Sequence, residues 1–296
     1  MMNAIQDLLP AETAMGTVML KVGNLDRMAG YYRKALGLVD IAESDGGLYL
    51  GRANVPLIHL APAAGRKLPA PTEAGLFHTA LLFSDRSDLA ATVASAAEAA
   101  QSTEGRYVGS ADHLVSEAFY FSDPEGNGIE LYFDKPRDTW NWTEVGGKRT
   151  VVMDNVALPP RQYLEANLTE ESVRGQQKAA ADVGHVHLQV GDVPTAEQFY
   201  VGTLGFERTA GWHGQALFVS AGGYHHHMAM NVWNSRGAGP RKDTLGLGEV
   251  LIHVPHPDEV GALAERLKSV GVEHHHTGQE LRFEDPWRNK LRVAVQ

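Results

Sequence analysis

Residues 119–133 read Phe-Tyr-Phe-Ser-Asp-Pro-Glu-Gly-Asn-Gly-Ile-Glu-Leu-Tyr-Phe. Two runs of β-formers flank Asp123-Pro124-Glu125-Gly126-Asn127-Gly128, so the stretch predicts a hairpin whose second strand is Ile129 to Phe133. Within that strand Glu130 stands among apolar residues. Alternation allows it to face solvent, and a charged residue is seldom fully buried without a partner. Facing inward it needs a cation, and histidines in other predicted strands stand at matching places.

Working outward, Met15 to Val22 reads as a strand. Asn24 caps a helix whose apolar face is Met28, Tyr31, Tyr32 and Leu36 and whose stop is Gly37. Short strands follow near Val39 to Ala42, Leu48 to Leu50 and Leu57 to Leu60. The same order recurs with strand Gly75 to Phe83, helix Asp88 to Ala100, and strands Leu114 to Phe121 and Ile129 to Phe133. A third copy has strand Val183 to Val190, a helix through Ala196, Phe199 and Tyr200 ending at Gly205, and strands Ala216 to Ser220 and His225 to Val232. A fourth has strand Glu249 to Val254, helix Asp258 to Val270, and strands Glu280 to Glu284 and Lys290 to Val295.

Fixed offsets support the repeat. Tyr31-Tyr32 with Leu36-Gly37-Leu38 returns 168 residues later as Phe199-Tyr200 with Leu204-Gly205-Phe206. Asp123-Pro124-Glu125-Gly126-Asn127 returns 162 residues later as Asp285-Pro286-Trp287-Arg288-Asn289. The chain is therefore expected to be α+β, with four βαβββ modules in two halves, residues 14–134 and 183–296. Residues 135–182 form a crossover too long for a bare loop. Its expected helix is Tyr163 to Leu168, and Trp140 and Trp142 are expected to anchor it by packing.

With 296 residues, 43% hydrophobic and 21% charged, the chain can bury two sizeable cores. No apolar run reaches the length of a membrane span, and Met1 to Pro10 lacks a signal-peptide pattern, so a cytoplasmic location is expected. A formal charge of -10 without a basic cluster argues against nucleic acid and anionic membranes. Cysteine is absent, which removes disulfides, thiolate metal sites and cysteine nucleophiles. Fourteen histidines remain, several inside predicted strands.

Four βαβββ units, Gly-His-Val-His-Leu-Gln-Val at 184–190, Phe-Tyr…Leu-Gly-Phe and Asp-Pro-Glu-Gly-Asn-Gly-Ile-Glu-Leu together resemble the vicinal oxygen chelate superfamily. Within it, the chain looks closest to two-domain extradiol ring-cleaving dioxygenases of the catechol 2,3-dioxygenase type, over about Gly16–Phe133 and Val183–Val295. The resemblance implies two incompletely closed mixed β-barrels. It also implies a metal held by the first strand of one unit with the first and last strands of its partner. By position the candidates are Thr17, His78, His185 and Glu249 in first strands, and Glu130 and Arg292 in last strands. A two-His, one-carboxylate iron site then consists of His78, Glu130 and His185, with His187 competing for the place of His185. That set requires module 1 to pair with 4 and module 2 with 3. The sister cavity, holding Arg292, is expected to be metal-free.

The same resemblance gives His226 an acid-base role, with His225 or His227 inheriting it if the register slips by one. Tyr120 becomes a hydrogen-bond donor to substrate oxygen, and His113 a supporting histidine. His274-His275-His276 falls in a predicted turn at the surface. Lys67, Arg236 and Arg241 are loop cations that could close over an anionic substrate. The implied function is Fe(II)-dependent extradiol cleavage of a catechol-like aromatic diol with O2, as in aromatic hydrocarbon catabolism, with Mn(II) as an alternative metal. A glyoxalase-like isomerase or lyase, and a non-catalytic binder of aromatic ligands, are the competing functions. Exposed sheet edges leave homo-oligomer formation open.

Overall fold

The Asp123 turn closes by side-chain capping, as seen in a computed structural model that describes residues 8–44, 46–102 and 105–296. Residues 1–7 of the leader lie outside the described residues. Asp123 Oδ1 accepts from the backbone N–H groups of Glu125 and Asn127, both at 2.9 Å, and Oδ2 accepts from Asn127 Nδ2 at 2.8 Å and the Tyr32 hydroxyl at 3.0 Å. Asp285 repeats the pattern with Trp287, Asn289 and, at 3.0 Å, Tyr200. The two recurring motifs are thus bonded to each other: a helix tyrosine of modules 1 and 3 ties down the hairpin turn of modules 2 and 4.

Module 1 comprises β1 (Ala14–Val22), α1 (Leu25–Leu36), β2 (Val39–Ser44), β3 (Gly47–Arg52) and β4 (Val55–Pro62). Module 2 comprises β5 (Gly75–Phe83), α2 (Arg86–Ser102), β6 (Arg106–Asp112), β7 (Ser116–Ser122) and β8 (Gly128–Asp134). The crossover carries the hairpin β9 (Trp142–Val145) and β10 (Lys148–Val151), the short β11 (Val156–Ala157), α3 (Pro160–Asn167) and α4 (Glu170–Gly175). Module 3 is β12 (Ala181–Gln189), α5 (Val193–Glu197) with a π-helical turn, β13 (Glu207–Trp212), β14 (Ala216–Ser220) and β15 (Met228–Asn231). Module 4 is β16 (Gly246–Val254), α6 (Pro257–Ser269), β17 (His274–His276), β18 (Glu280–Glu284) and β19 (Lys290–Val295).

The strands form two large, unclosed sheets, and each draws on both halves of the chain. One runs β17-β18-β19-β16-β1-β4-β3-β2, joining modules 4 and 1; the other runs β11-β6-β7-β8-β5-β12-β15-β14-β13, joining modules 2 and 3. Each pair of modules meets along an antiparallel seam of first strands, β1 with β16 and β5 with β12. Apolar residues of alternate strand positions, such as Ile129 and Leu131 in β8 and Val186 and Leu188 in β12, join the helices in one buried cluster. The opposite faces of the same strands are left for polar residues. Among the described residues no helix is long and apolar enough to cross a membrane.

Several local expectations change. Pro160 takes the first helical turn of α3, so the crossover helix begins three residues before Tyr163. Trp140 is buried against Val115, Val151 and Tyr224, as an anchor should be, and Trp142, half-buried on the β9–β10 hairpin under Arg149, packs against the same cluster. His274 to His276 form an edge strand against β18 rather than a turn. His225 to His227 precede β15 rather than belonging to it, because the Gly222-Gly223 turn, with φ of 62° and 69°, delays the strand. Freed from alternation, neighbouring rings of that run can bond to each other.

Candidate metal centre

Strand register builds the site. Across four adjacent strands, Tyr120 of β7 faces Glu130 of β8, Glu130 aligns with Ala80 of β5, and Ala80 faces His185 of β12. The next row aligns Gly128, His78, His187 and Ala229 of β15. Ala80, fully buried, leaves a hole in the first row, and His78 lies beside it in the second row. His78 Nε2 stands 2.9 Å from Glu130 Oε2, His185 Nε2 stands 3.0 Å from the same oxygen, and the two imidazole nitrogens are 3.4 Å apart. All three side chains are buried.

This triangle suits a cation. Three mutually perpendicular donors held about 2.1 Å from one ion lie about 3.0 Å from each other. The charges agree with the geometry. Burial lowers the pKa of His185 to about 4 against the pull of Glu130, so that imidazole is neutral at pH 7. Burial raises the Glu130 carboxyl, but the imidazoles of His185 and His78 outweigh it and keep the acid ionised. An ionised carboxylate facing a neutral imidazole is an incomplete arrangement that a divalent ion completes.

His185 is fixed by packing, since its Nδ1 has no partner while its ring lies 4.1 Å from that of His226 and 4.9 Å from that of Tyr132. A bulge at Gly184 turns it inward. A Cβ at Gly184 would come within 1.7 Å of the buried Tyr132 hydroxyl. Gly184→Ala is therefore expected to destabilise the fold by about 1–3 kcal/mol, read as a lowered Tm, and to weaken metal binding with it.

His187, two residues on and also buried, is engaged elsewhere. Its Nε2 accepts from Asn231 Nδ2 at 3.0 Å. Its ring packs edge-on against Phe77 and Trp233, forming an aromatic wall.

The remaining expected site residues divide into two groups. His113 Nδ1 faces the carbonyl of Asp154 at 3.1 Å and must carry a proton, so its Nε2 accepts from the Tyr120 hydroxyl at 2.6 Å. Burial, then Glu130, raises the pKa of Tyr120 and keeps it a donor. On the other side, Asp134 Oδ1 lies 2.9 Å from His225 Nε2, and His225 Nδ1 lies 2.7 Å from His226 Nδ1. Asp134 accepts the His225 Nε2 proton, and in that singly protonated tautomer His225 Nδ1 accepts from His226 Nδ1–H. That leaves His226 Nε2 as a bare lone pair, on a ring that lines the cavity. Burial, then His185, pushes the His226 pKa well down. His227 faces elsewhere, accepting from the Ala221 N–H at 3.2 Å.

Asp134 and Tyr224, which hydrogen-bonds the other carboxylate oxygen at 2.8 Å, were not expected at the site. A signal existed: Asp134 follows Glu130 and Tyr132 at strand period, so it shares their face.

In the sister sheet Glu249 of β16 faces Met19 of β1, Met19 aligns with His59 of β4, and Leu251 aligns with Arg292 of β19, while Thr17 precedes Met19 by two residues on β1. Arg292 pairs with Glu249 and with Glu280, both at 3.2 Å, so an internal cation stands where Glu130 stands in the first site.

The family described as Glyoxalase/Bleomycin resistance protein/Dioxygenase superfamily matches residues 14–131 and 182–293. The catechol-2,3-dioxygenase of Bacillus subtilis (strain 168) is 35% identical over 280 residues, spanning 93% of this chain and 94% of that protein. Glyoxalase I of Zea mays superimposes with a TM-score of 0.57 at 15% identity, covering 96% of this chain and 92% of its own. The cppA protein of Streptococcus pneumoniae does so with a TM-score of 0.56 at 13% identity, covering 98% and 99%. At these identities the structural likeness concerns the fold alone.

Proposed function

The chain belongs to the glyoxalase/bleomycin resistance protein/dioxygenase superfamily, and within it we propose that the protein is an Fe(II)-dependent extradiol dioxygenase that opens the ring of a catechol-like aromatic diol with O2. The observation that carries this reading is the fourth corner of the metal triangle. The two module ends around the β5–β12 seam are related by a local two-fold, under which His78 exchanges with His185 and Glu130 with Ala229. A site with a second carboxylate, as a glyoxalase-like isomerase would use, needs an acid at that corner. A methyl group stands there instead, and two imidazoles with one carboxylate leave the other coordination positions open.

A ferrous ion held by His78, Glu130 and His185 would supply the redox chemistry, gathering a vicinal diol and dioxygen side by side and passing electrons from ring to oxygen. His226 Nε2 takes a proton from the incoming diol and returns it once the ring has opened. Asp134 and His225 keep His226 in the tautomer that can do so. The Tyr120 hydroxyl, backed by His113, orients a diol oxygen. Phe77, His187 and Trp233 form the aromatic wall for the ring and exclude water.

The test is anaerobic loading with Fe(II), in parallel with Mn(II), followed by diols in air. Oxygen uptake and a yellow ring-opened product are expected. His226→Ala should lower kcat by roughly 100-fold with metal content unchanged. A metal-loaded chain that consumes no oxygen across a panel of diols rules the reading out.

A further inference from the structure

The cavity in front of the metal triangle has a volume of about 920 Å³, far more than a bare diol fills. Beyond the triangle its wall includes Gly75, Leu247 and Arg241. Arg241 is fixed by neutral acceptors: Nη2 donates to the Leu247 carbonyl at 3.0 Å, Nη1 to Asn289 Oδ1 at 3.4 Å, and the backbone N–H to the Trp287 carbonyl at 2.9 Å. Its Nε is shielded from water and has no acceptor. Among the described residues no carboxylate forms an ion pair with it, whereas Arg33, Arg86 and Arg292 each have one. Arg52 Nη1 and Arg292 Nε are likewise buried without a hydrogen-bond acceptor, but neither arginine lines these two cavities, whereas Arg241 borders space that a ligand can fill.

A second feature meets the first at the same residue. A smaller cavity of about 410 Å³ shares Arg241 and Leu247 with the large one. Its other charged lining residues are Lys21, Arg66, Lys242, Arg288 and Lys290, against the two acids Asp243 and Glu284. On a chain of formal charge -10, this is a concentrated positive field beside the main cavity. The acids lining the main cavity are meanwhile engaged. Glu73 pairs with Lys242, Glu125 accepts from the Gly23 N–H, Glu130 faces the two imidazoles, and Asp154 Oδ1 accepts from the Asn155 N–H.

Resting on the dioxygenase reading, we propose that the substrate is an anionic diol: a catechol whose side chain ends in a carboxylate, received by Arg241 and drawn in by the basic cluster beside it. Arg241 lines the cavity without a carboxylate of its own, and the N–H donors of a guanidinium suit a carboxylate. The distance fits. Arg241 Nε lies 3.3 Å from the point where a Cβ would stand on Gly75, which has none and has a φ of 151°. Gly75 precedes His78 by three residues on β5, a span of about 10 Å. A diol ring with a short acid-bearing arm bridges that length, with its ring against the aromatic wall and its acid at Arg241.

The experiment compares 3,4-dihydroxyphenylacetate with its methyl ester on the Fe(II)-loaded chain, at low and high salt. The acid should be preferred in kcat/KM by at least about tenfold, with a preference that shrinks as salt rises. Arg241→Met should lower kcat/KM for the acid alone, mainly through KM, and Arg241→Lys should restore part of it. Arg288→Ala with Lys290→Ala, both exposed, should flatten the salt dependence without altering the fold. Equal turnover of acid and ester in the native chain, or an equal loss of both in Arg241→Met, overturns the proposal.

A second arm does not depend on ring cleavage. The metal-free chain is titrated with phenylacetate, followed by fluorescence of Trp212 and Trp233 in the cavity wall. Affinity should fall at least about tenfold in Arg241→Met. Unchanged affinity rejects the anion site even if diols are cleaved. Arg241-dependent binding without cleavage of any diol upholds the anion site and rejects the dioxygenase.

Discussion

Glu130→Gln should give a folded chain that retains no ferrous ion after desalting and consumes no oxygen with any diol. The replacement keeps the shape of a side chain that is buried against His78 and His185 and removes only its charge. That charge is what makes the triangle attractive to a cation, since an imidazole donor brings no negative charge of its own. Losing a group that merely supports a metal ligand costs roughly 10–100-fold in affinity, and losing the anionic ligand itself should exceed that. Iron content by elemental analysis and oxygen uptake are the two measurements. Wild-type iron content in the variant would show that these three residues are not the ligands. The converse change, Ala229→Glu, should bind metal at least as tightly while losing ring cleavage, because the new acid fills the corner on which substrate access depends.

Much of this site could be read from the primary structure because strand register translates spacing into geometry. Glu130 in an apolar strand, His78 in the first strand of module 2 and His185 in the first strand of module 3 occupy equivalent places in repeating units, so the repeat itself brought them to adjacent strands. The exchange of partners between halves followed from the same residues, since only modules 2 and 3 carry suitable donors. What could not be read depends on contacts without periodicity. The His225–Asp134 bond spans 91 residues. It exists because a double-glycine turn holds the histidine run out of the strand in which its composition placed it. The edge strand His274–His276 was hidden for a related reason, as pairing with β18 overrides a composition that reads as a turn. Arg241 shows the limit most clearly. As a loop cation it looks solvated, and only the packing of Leu247 and Gly75 around it shows a buried donor without an acceptor.

The metal-free chain should lose stability steeply as the pH falls from about 7 toward 4, and a bound divalent ion should move that loss to lower pH. His185 has its pKa lowered to about 4 by burial, and His227 to about 3 for the same reason. His187 and His226 are pushed down as well, again by burial first. In the unfolded chain each titrates near about 6.5, so between these values the unfolded state binds more protons than the folded one. The stability conferred by neutral imidazoles is therefore present above about 6.5 and lost as the pH drops toward the folded values. At about 1.4 kcal/mol per pKa unit, His185 alone accounts for about 3 kcal/mol, and His227 for rather more. Asp123 acts in the opposite direction. Burial raises its pKa to about 6, so its protonation favours the folded state as the pH falls and returns about 3 kcal/mol. Asp285, also raised by burial, adds to that return. His59 and His253 are also lowered, by burial first, and Asp88 is also raised, by burial first, so six depressed histidines stand against three raised acids and stability falls on balance as the pH drops. A metal ion deepens the contrast, because His185 and His78 must shed it before they can be protonated. Urea midpoints followed by circular dichroism at pH 7, 6 and 5, with and without Mn(II), measure the effect. A midpoint that stays constant over that interval in the metal-free chain would mean that the histidine cluster is reached by water and is not the buried, charge-excluding site its packing describes.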